Sequence, residues 1–251
     1  MLNQETLARM AENVAAIRRT MAEAARKAGR DAAEIRLCAA CKTRTVEEVR
    51  ASADLAIDLF GENHVQELVE KTDAGAYAGK PGHFIGHLQT NKVNKVVGRA
   101  AVIESVDSER LLQKIEAAAA RAGLVQDILI EVNIGAEASK SGIAPESLWP
   151  LAEAAEAAAH LRLRGLMAIP PADATPEMTR RFFAAMRELL AALQARQYAS
   201  AVPDTLSMGM SGDYAAAIEE GATIVRIGTA IYGARDYAKL PAFSQIATYL
   251  S

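Results

Sequence analysis

The chain contains Leu206-Ser207-Met208-Gly209-Met210-Ser211-Gly212-Asp213, followed after nine residues by Thr223-Ile224-Val225-Arg226-Ile227-Gly228-Thr229. This stretch predicts a short strand that ends in a turn of small residues, a helix that opens near Ser211–Asp213, and a second strand. Backbone N–H groups in a glycine-containing turn after a strand, or at a helix start, form a ready phosphate site. In a (β/α)8 barrel such a site is commonly built by the loops after strands seven and eight. The stretch therefore predicts the closing strands of a barrel with a phosphate cradle.

One charged residue, Arg226, lies inside the apolar segment Ile224–Ile227. Burying an unpaired charge is expensive, so we expect an anionic or hydrogen-bond-accepting group to face the guanidinium. Two alternatives stay open: the partner is a ligand in the barrel, or it is an Asp or Glu of a neighbouring strand.

The rest of the chain alternates short apolar segments with amphipathic ones. Strands are predicted at Ile35–Lys42, Leu55–Phe60, His83–Gly86, Ala101–Glu104, Ile128–Asn133, Leu163–Met167, Thr205–Met208 and Thr223–Ile227. A helix precedes the first strand, and a final short helix is predicted to begin at Pro241. Eight regular strand–helix units with near-continuously apolar strands favour a closed TIM-type (β/α)8 barrel over a doubly wound open sheet. We expect residues 1–251 to form a single barrel domain.

Composition narrows the classes of function. Hydrophobic residues make up 51% of the chain and charged residues 24%, which is ordinary for a globular protein with a sizeable core. The net charge of -3 gives no electrostatic reason to expect nucleic acid or an anionic membrane as a partner. No apolar segment approaches the roughly 20 residues that cross a bilayer, and the charged N-terminal segment is unlike a signal peptide. We therefore expect a cytoplasmic protein.

The two cysteines, Cys38 and Cys41, superficially match a Cys-x-x-Cys redox motif. Both lie in the first predicted strand, where residues three apart point to opposite faces. A disulfide requires Cβ atoms that lie close together and face each other. We therefore expect two buried, reduced thiols and, with four histidines in the chain, no metal site.

Lys42 is the most informative residue at the predicted carboxyl ends of the strands, where a barrel gathers its active site. Strand alternation places Lys42 with Arg36, Cys38 and Ala40 on the less apolar face, which points into the barrel mouth. Since the first strand closes the barrel against the eighth, Lys42 and Arg226 are expected to be neighbours. Repulsion between the two adjacent cations favours the neutral amine of Lys42, which is the form that attacks an aldehyde. The common alternative is that Lys42 is a lysine whose side chain extends from a strand end into solvent. A neutral lysine, an arginine and a phosphate cradle suit a phosphorylated aldehyde.

Seven motifs then follow one another along nearly the whole chain. They are Ala40-Cys41-Lys42-Thr43, Phe60-Gly61-Glu62-Asn63 with Val65-Gln66-Glu67, His83–Lys92, Ser139-Lys140-Ser141-Gly142, Leu163–Met167, Leu206–Ser211, and Glu219–Thr223 continued by Val225–Thr229. Together they resemble the family of small pyridoxal-phosphate-binding proteins concerned with vitamin B6 homeostasis. That family is related to the barrel domain of alanine racemase.

The resemblance implies a cofactor and a set of residues that hold it. Lys42 would carry pyridoxal 5'-phosphate (PLP) as a Schiff base. Ser211, Gly228 and Thr229 would hold the phosphate, and Arg226 would face the pyridine nitrogen.

Further residues have less defined roles. Asn63 and His83 are expected in the pocket, although His83 is equally expected as a hydrogen-bonded core histidine. Lys140 is either a second lysine able to meet the cofactor or a solvated surface lysine. Two residues depart from the family pattern: Cys41 stands where a small polar residue is expected, and His64 where an aromatic one is usual.

The resemblance also bears on catalysis. An arginine at the pyridine nitrogen keeps that nitrogen unprotonated and weakens the cofactor as an electron sink. Racemases of this lineage take a second base from a separate domain, and the segment after Pro241 is too short for one. We expect PLP storage, delivery or regulation without substantial catalysis; the alternatives are a low-activity single-domain amino-acid racemase and a Schiff-base aldolase acting on a sugar phosphate. The expected partners of this monomer are PLP and, transiently, apo forms of PLP-dependent enzymes.

Overall fold

The computed structural model describes residues 3–137 and 140–233. Its eight parallel strands are β1 (Arg36–Ala40), β2 (Leu59–Glu62), β3 (Gly82–Phe84), β4 (Val102–Val106), β5 (Gln126–Glu131), β6 (Leu161–Met167), β7 (Thr205–Ser207) and β8 (Ile224–Ile227). They pair in sequence order, and β1 pairs with β8 to close the barrel. The predicted TIM-type barrel is therefore confirmed. The helix predicted at Pro241 lies outside the described residues, as does Ser139 of the fourth motif.

Helices surround the barrel. They are α1 (Gln4–Lys27), α2 (Val46–Ser52), α3 (Val65–Asp73), α4 (Val93–Val96), α5 (Glu109–Ala122), α6 (Leu148–Glu156), α7 (Pro176–Ala195), α8 (Tyr214–Glu219) and α9 (Thr229–Tyr232). Short 3-10 turns occupy Ala32–Glu34, Thr90–Lys92 and Pro145–Ser147. Within the described ranges, no helix combines the length and the apolar character needed to span a membrane.

Local sequence signals explain where several helices begin and end. Thr45 and Glu48 form a capping box, in which each side chain accepts a hydrogen bond from the other residue's backbone N–H. Thr175 caps α7 and Pro176 occupies its first position. α5 ends at Ala122 and is capped by Gly123, whose φ of 63° is the left-handed conformation that glycine adopts without strain.

One predicted strand start is wrong by four residues, and the other predicted strand limits agree within two residues, with β1 ending at Ala40 and not at Lys42. The strand predicted at Leu55–Phe60 begins at Leu59, because the preceding residues form a turn whose carbonyls at Leu55 and Ile57 accept hydrogen bonds from the amine of Lys80. After β3, the 3-10 turn at Thr90–Lys92 leads directly into the four-residue α4.

The two faces of β1 separate as strand alternation predicts. Ala39 and Cys41 belong to the large core between the barrel and its helices, whereas Cys38 packs inside the barrel with Leu59 and Ile224. Both thiols are buried and free. Burial raises the pKa of both thiols well above the ordinary range, so they stay protonated at neutral pH.

Helix α1 ties the start of the described chain to its end. The Asn13 side-chain amide donates to the carbonyl oxygen of Ile231 at 3.0 Å. The Arg30 guanidinium, just after α1, donates to the carbonyl oxygens of Ile218 and Ala222 at 2.8 and 2.9 Å. These contacts fix α1 over α8 and α9, beside the seam where β1 meets β8.

Candidate functional site

A cavity of about 410 Å³ opens at the carboxyl ends of the strands. This volume lies within the range typical of small-molecule pockets. The cavity wall includes all six residues that the sequence assigned to cofactor binding: Lys42, Asn63, Ser211, Arg226, Gly228 and Thr229. Four different strand ends and the turns after them bring these residues together.

Lys42 follows β1 in a turn at the barrel mouth. The pairing of β1 with β8 places Cys38 opposite Arg226, so the lysine stands further along the strand direction than the arginine. Both side chains line the same cavity. Residue Thr43, which follows the lysine, has a φ of 68°, an uncommon conformation for a β-branched residue.

Arg226 reaches the cavity from inside the barrel and is 4% exposed. Its Nη1 donates to the hydroxyl of Ser207 at 2.6 Å, and its Nη2 donates to the carbonyl oxygen of Ala168 at 3.0 Å. Ser207 in turn donates to Oε2 of Glu104 at 2.6 Å. Arg226 therefore has two roles: its side chain lines the cavity, and its counter-charge is Glu104, which lies across the barrel on β4 and not on a strand next to β8 as expected.

His83 is not among the residues that line this cavity. It is buried on β3, with Nδ1 2.6 Å from Oε1 of Glu104, which makes it the hydrogen-bonded core histidine. Burial alone would raise the pKa of Glu104, but His83, Arg226 and Ser207 outweigh that effect and hold the pKa below its ordinary value. The barrel interior beneath the cavity thus contains an ionised carboxylate. Neither Glu104 nor Ser207 was assigned a role from the sequence, in which each is a polar residue of a short, mainly apolar strand.

Another part of the cavity wall is built from small residues in two turns. The Ser211 hydroxyl accepts a hydrogen bond from the backbone N–H of Ala230 at 3.4 Å. A Cβ on Gly228 would lie 3.0 Å from the carbonyl oxygen of Ala40, whereas a Cβ on Gly212 would meet nothing within 4 Å. Backbone and a hydroxyl therefore surround open space here, which is the type of wall that accommodates an anionic group.

Asn63 follows β2 and is fixed by close packing. A Cβ on Gly86 would lie 2.1 Å from the backbone oxygen of Asn63, so only glycine allows the two loops to approach this closely. The next residue, His64, has a pKa lowered by burial and by nearby cations that include Lys42, against the opposing charge of Glu67. A neutral imidazole therefore stands near Lys42.

A second cavity of about 290 Å³ adjoins the first and shares Asn63 with it. Its wall includes Lys140, whose amine donates to the carbonyl oxygen of Pro170 at 3.0 Å and contacts Glu137. Lys140 thus lines the adjoining cavity and not the one that contains Lys42. Glu131 lines the same wall and is 7% exposed.

Sequence comparison places the chain in a known class. Residues 7–236 match the family described as alanine racemase, N-terminal domain. The chain is 42% identical to the pyridoxal phosphate homeostasis protein of Aquifex aeolicus over 226 residues, covering 90% of this chain and 98% of that protein. It is 40% identical to the Escherichia coli protein of the same name, covering 92% and 98%. The fold is thus that of an alanine-racemase-type barrel, and the chain belongs to the family of pyridoxal phosphate homeostasis proteins.

Solved structures agree with this family. PipY of Synechococcus elongatus, solved with PLP bound, has a TM-score of 0.77 and 30% identity, covering 89% of this chain and 100% of PipY. A protein of unknown function from Bifidobacterium adolescentis has a TM-score of 0.87 and 34% identity, covering 92% of this chain and 97% of that one. Alanine racemase of Streptomyces lavendulae shares the fold, with a TM-score of 0.73 and 20% identity; 91% of this chain matches 58% of the enzyme.

Proposed function

We propose that this chain binds PLP as a Schiff base on Lys42 and acts in vitamin B6 homeostasis, by storage, delivery or regulation, without substantial catalysis. The observation that carries the proposal is the meeting of a lysine, a guanidinium and two small-residue turns in one cavity of about 410 Å³. The relatives named as homeostasis proteins and the PLP-bound structure of PipY support it.

The cavity wall fits the functional groups of PLP one by one. The amine of Lys42 suits the aldehyde: its nitrogen forms a C=N bond to the aldehyde carbon, and the aldehyde oxygen leaves as water. The hydroxyl of Ser211 and the turn at Gly228 and Thr229 suit the phosphate, since the space there is open and bordered by backbone. The guanidinium of Arg226 suits the pyridine nitrogen.

The environment of Arg226 supports a role other than catalysis. A guanidinium is a donor that keeps its proton, so the group it contacts must act as an acceptor. A pyridine nitrogen that accepts from it stays unprotonated, which weakens PLP as an electron sink. Ser207 and the carbonyl oxygen of Ala168 hold the guanidinium in place, and Glu104 lies behind it. This arrangement favours holding the cofactor over transforming amino acids with it.

Three parts of the expected biology stay predictions from the sequence. They are the cytoplasmic location, the monomeric single domain over residues 1–251, and transient contact with apo forms of PLP-dependent enzymes as recipients. Mixing the PLP-loaded protein with an apo enzyme and following the movement of the chromophore tests the last of these.

Borohydride trapping tests the proposal directly. The protein is incubated with PLP, reduced, digested and mapped by mass spectrometry. We expect the adduct on the peptide that contains Lys42, and its loss in Lys42→Ala with an unchanged melting temperature, because the lysine stands at the barrel mouth and not in the core. Lys92→Ala and Lys140→Ala are matched controls that should keep the adduct. A full adduct on the Lys92 or Lys140 peptide of the parent protein would contradict the assignment.

A further inference from the structure

A second buried polar cluster lies behind Lys42, on the side away from the cavity. It consists of Glu62 at the end of β2, Glu67 and Lys71 on α3, and Tyr77. Lys71 is 1% exposed and Glu62 is fully buried. The Lys71 amine donates to Oε1 of Glu62 at 2.8 Å, and the Tyr77 hydroxyl donates to the same oxygen at 3.3 Å. None of these residues lines the cavity that contains Lys42.

The cluster holds the peptide groups on both sides of Lys42. The Lys71 amine also donates to the carbonyl oxygen of Cys41 at 2.9 Å. Oε1 of Glu67 accepts the backbone N–H of Thr43 at 3.0 Å. Because Glu67 and Lys71 are four residues apart on α3, they lie on one face of that helix. One helix face therefore fixes the residue before Lys42 and the residue after it.

The backbone at Thr43 requires such support. Its φ of 68° is sterically unfavourable for a β-branched side chain. Residues in such conformations persist when the surrounding structure holds them there, and they cluster at functional sites. The hydrogen bond from Thr43 to Glu67 is a contact that holds this turn, and the turn sets where the Lys42 side chain leaves the backbone.

Stability alone is a weak reason for this arrangement. A buried charged pair often contributes no more to stability than an apolar pair of the same volume, because both groups must be desolvated. Burial raises the pKa of Glu62 to about 8, with Lys71 opposing the shift and the nearby carboxyl of Glu67 adding to it. Oε2 of Glu62 and Oε2 of Glu67 are buried, and neither has a hydrogen-bond partner among the described residues, which is a further cost in stability.

We propose that Glu67 and Lys71 are positioning residues that hold Lys42 in the geometry in which its amine reacts with an aldehyde, and that Glu62 anchors Lys71. The proposal deepens the proposed function and rests on it, since it assigns the orientation of the lysine that carries PLP. Misplacement of a reacting group by about 1 Å can slow a reaction by about a hundredfold, so holding the backbone on both sides of the lysine preserves the reactivity of its amine.

The test measures the reactivity of Lys42 without PLP. Apo protein is treated with a small aldehyde and borohydride, and modification of the Lys42 peptide is timed by mass spectrometry against exposed Lys95 as an internal reference. In Glu67→Ala we expect modification of Lys42 to slow about tenfold or more relative to Lys95, because the N–H of Thr43 loses its acceptor. In Glu67→Gln, which keeps an acceptor, the rate should stay within about threefold of the parent. Faster amide hydrogen exchange at Thr43 should accompany the alanine variant only.

A control separates positioning from general loss of stability. Gln126 makes comparable side-chain contacts with the backbone at the opposite end of the barrel, to the N–H of Gly98 and the carbonyl oxygen of Ala100. Gln126→Ala should lower the melting temperature without changing the Lys42 rate. All rates are compared at a temperature at which thermal melts show each variant folded.

Two outcomes overturn the proposal. One is a folded Glu67→Ala variant whose Lys42 reacts at the parental rate. Should that variant not fold, Lys71→Met replaces it, since methionine keeps the length of the side chain but cannot donate to Cys41; an unchanged Lys42 rate there overturns the proposal equally. Failure of the proposed function is a different result: the parent protein forms no borohydride-trapped PLP adduct on Lys42, while its reactivity toward the small aldehyde is still measurable.

Discussion

Oε2 of Glu104 lies 4.0 Å from Nη1 of Arg226 inside the barrel, and the hydroxyl of Ser207 is hydrogen-bonded to both groups. The arginine is thus a wall of the cavity and, at the same time, the counter-charge of a carboxylate that has no access to solvent. Substitutions at this position change the cavity and the charge balance of the barrel interior together.

Arg226→Glu should destabilise the protein by about 3–5 kcal/mol, because it removes the cation beside Glu104 and adds a second carboxylate. Urea denaturation at neutral pH measures the loss. Arg226→Lys keeps the charge but cannot donate to both Ser207 and Ala168 with the same geometry. It should therefore be destabilised, but by less than Arg226→Glu. A urea denaturation curve of Arg226→Glu that matches the parent's would show that the ion pair contributes nothing to stability. The role of the arginine would then be confined to the cavity.

Gly86→Ala should change the cavity indirectly, because Gly86 packs against Asn63, which lines it. The new methyl group would meet the backbone oxygen of Asn63 at 2.1 Å, so Asn63 must move, at a cost of about 1–3 kcal/mol of stability and with weaker PLP binding. Gly212→Ala is the matched control for stability only, because its methyl group would meet no protein atom within 4 Å but Gly212 lines the cavity. Thermal melts of both variants measure stability, and a PLP titration of Gly86→Ala followed by absorbance measures binding. An equal loss of stability in the two variants would contradict the packing argument.

Glu131 should make the stability of the apo protein depend on pH. Burial, together with the charge of Asp107, raises its pKa to about 7 against the opposing effect of Arg226. Since an unfolded glutamate titrates near pH 4.3, the folded state holds the proton more tightly, and stability should fall as the pH rises from about 4.3 through 7. Glu131→Gln removes this loss and should be more stable than the parent above pH 7 by up to about 3 kcal/mol.

Denaturation curves of the parent and of Glu131→Gln at pH 5 and pH 8 provide the measurement. Glu62, whose pKa is raised to about 8, contributes a decline of the same sign to both proteins, so the difference between them isolates Glu131. An identical change of stability with pH in the two proteins would rule out a raised pKa at Glu131.

The purified, PLP-loaded protein should show no substantial racemisation or transamination of common amino acids. The reason is the guanidinium of Arg226 in the position proposed for contact with the pyridine nitrogen, which disfavours a strong electron sink. A chiral assay of L- and D-alanine, run beside an authentic alanine racemase, checks this. Steady conversion at about 1 per second or faster would instead support the racemase alternative.

The parts of the structure that follow local rules could be predicted from the sequence. Side chains alternate along any strand, so the opposite orientations of Cys38 and Cys41 needed no tertiary information. The start of β2 could not be predicted in this way, because Ile57 is buried in a turn and is as apolar as a strand residue. Burial of an apolar side chain does not reveal the backbone conformation that achieves it.

The same distinction applies to the site. Motifs and strand ends indicated the six residues that line the cavity, but not the polar groups that support them. Lys71 reads as a surface lysine of an amphipathic helix, and its burial depends on Glu62 and on the Cys41 carbonyl, which only the folded barrel brings to it. Glu104 is similar, since pairing of β3 with β4 brings His83 to it, and closure of the barrel brings Arg226 to it across the barrel interior.

The contacts between helix α1 and the last described elements of the chain affect how the protein folds during its synthesis. Asn13 bonds to Ile231, which is 218 positions later, and β1 has no partner on one edge until β8 exists. At about 5–20 residues per second, a ribosome needs about 10–40 s to make the chain between these elements. During that interval the nascent chain carries an exposed apolar helix face and an unpaired strand edge. Its yield in the cell should therefore depend on chaperones that bind nascent chains far more than its stability after closure would suggest.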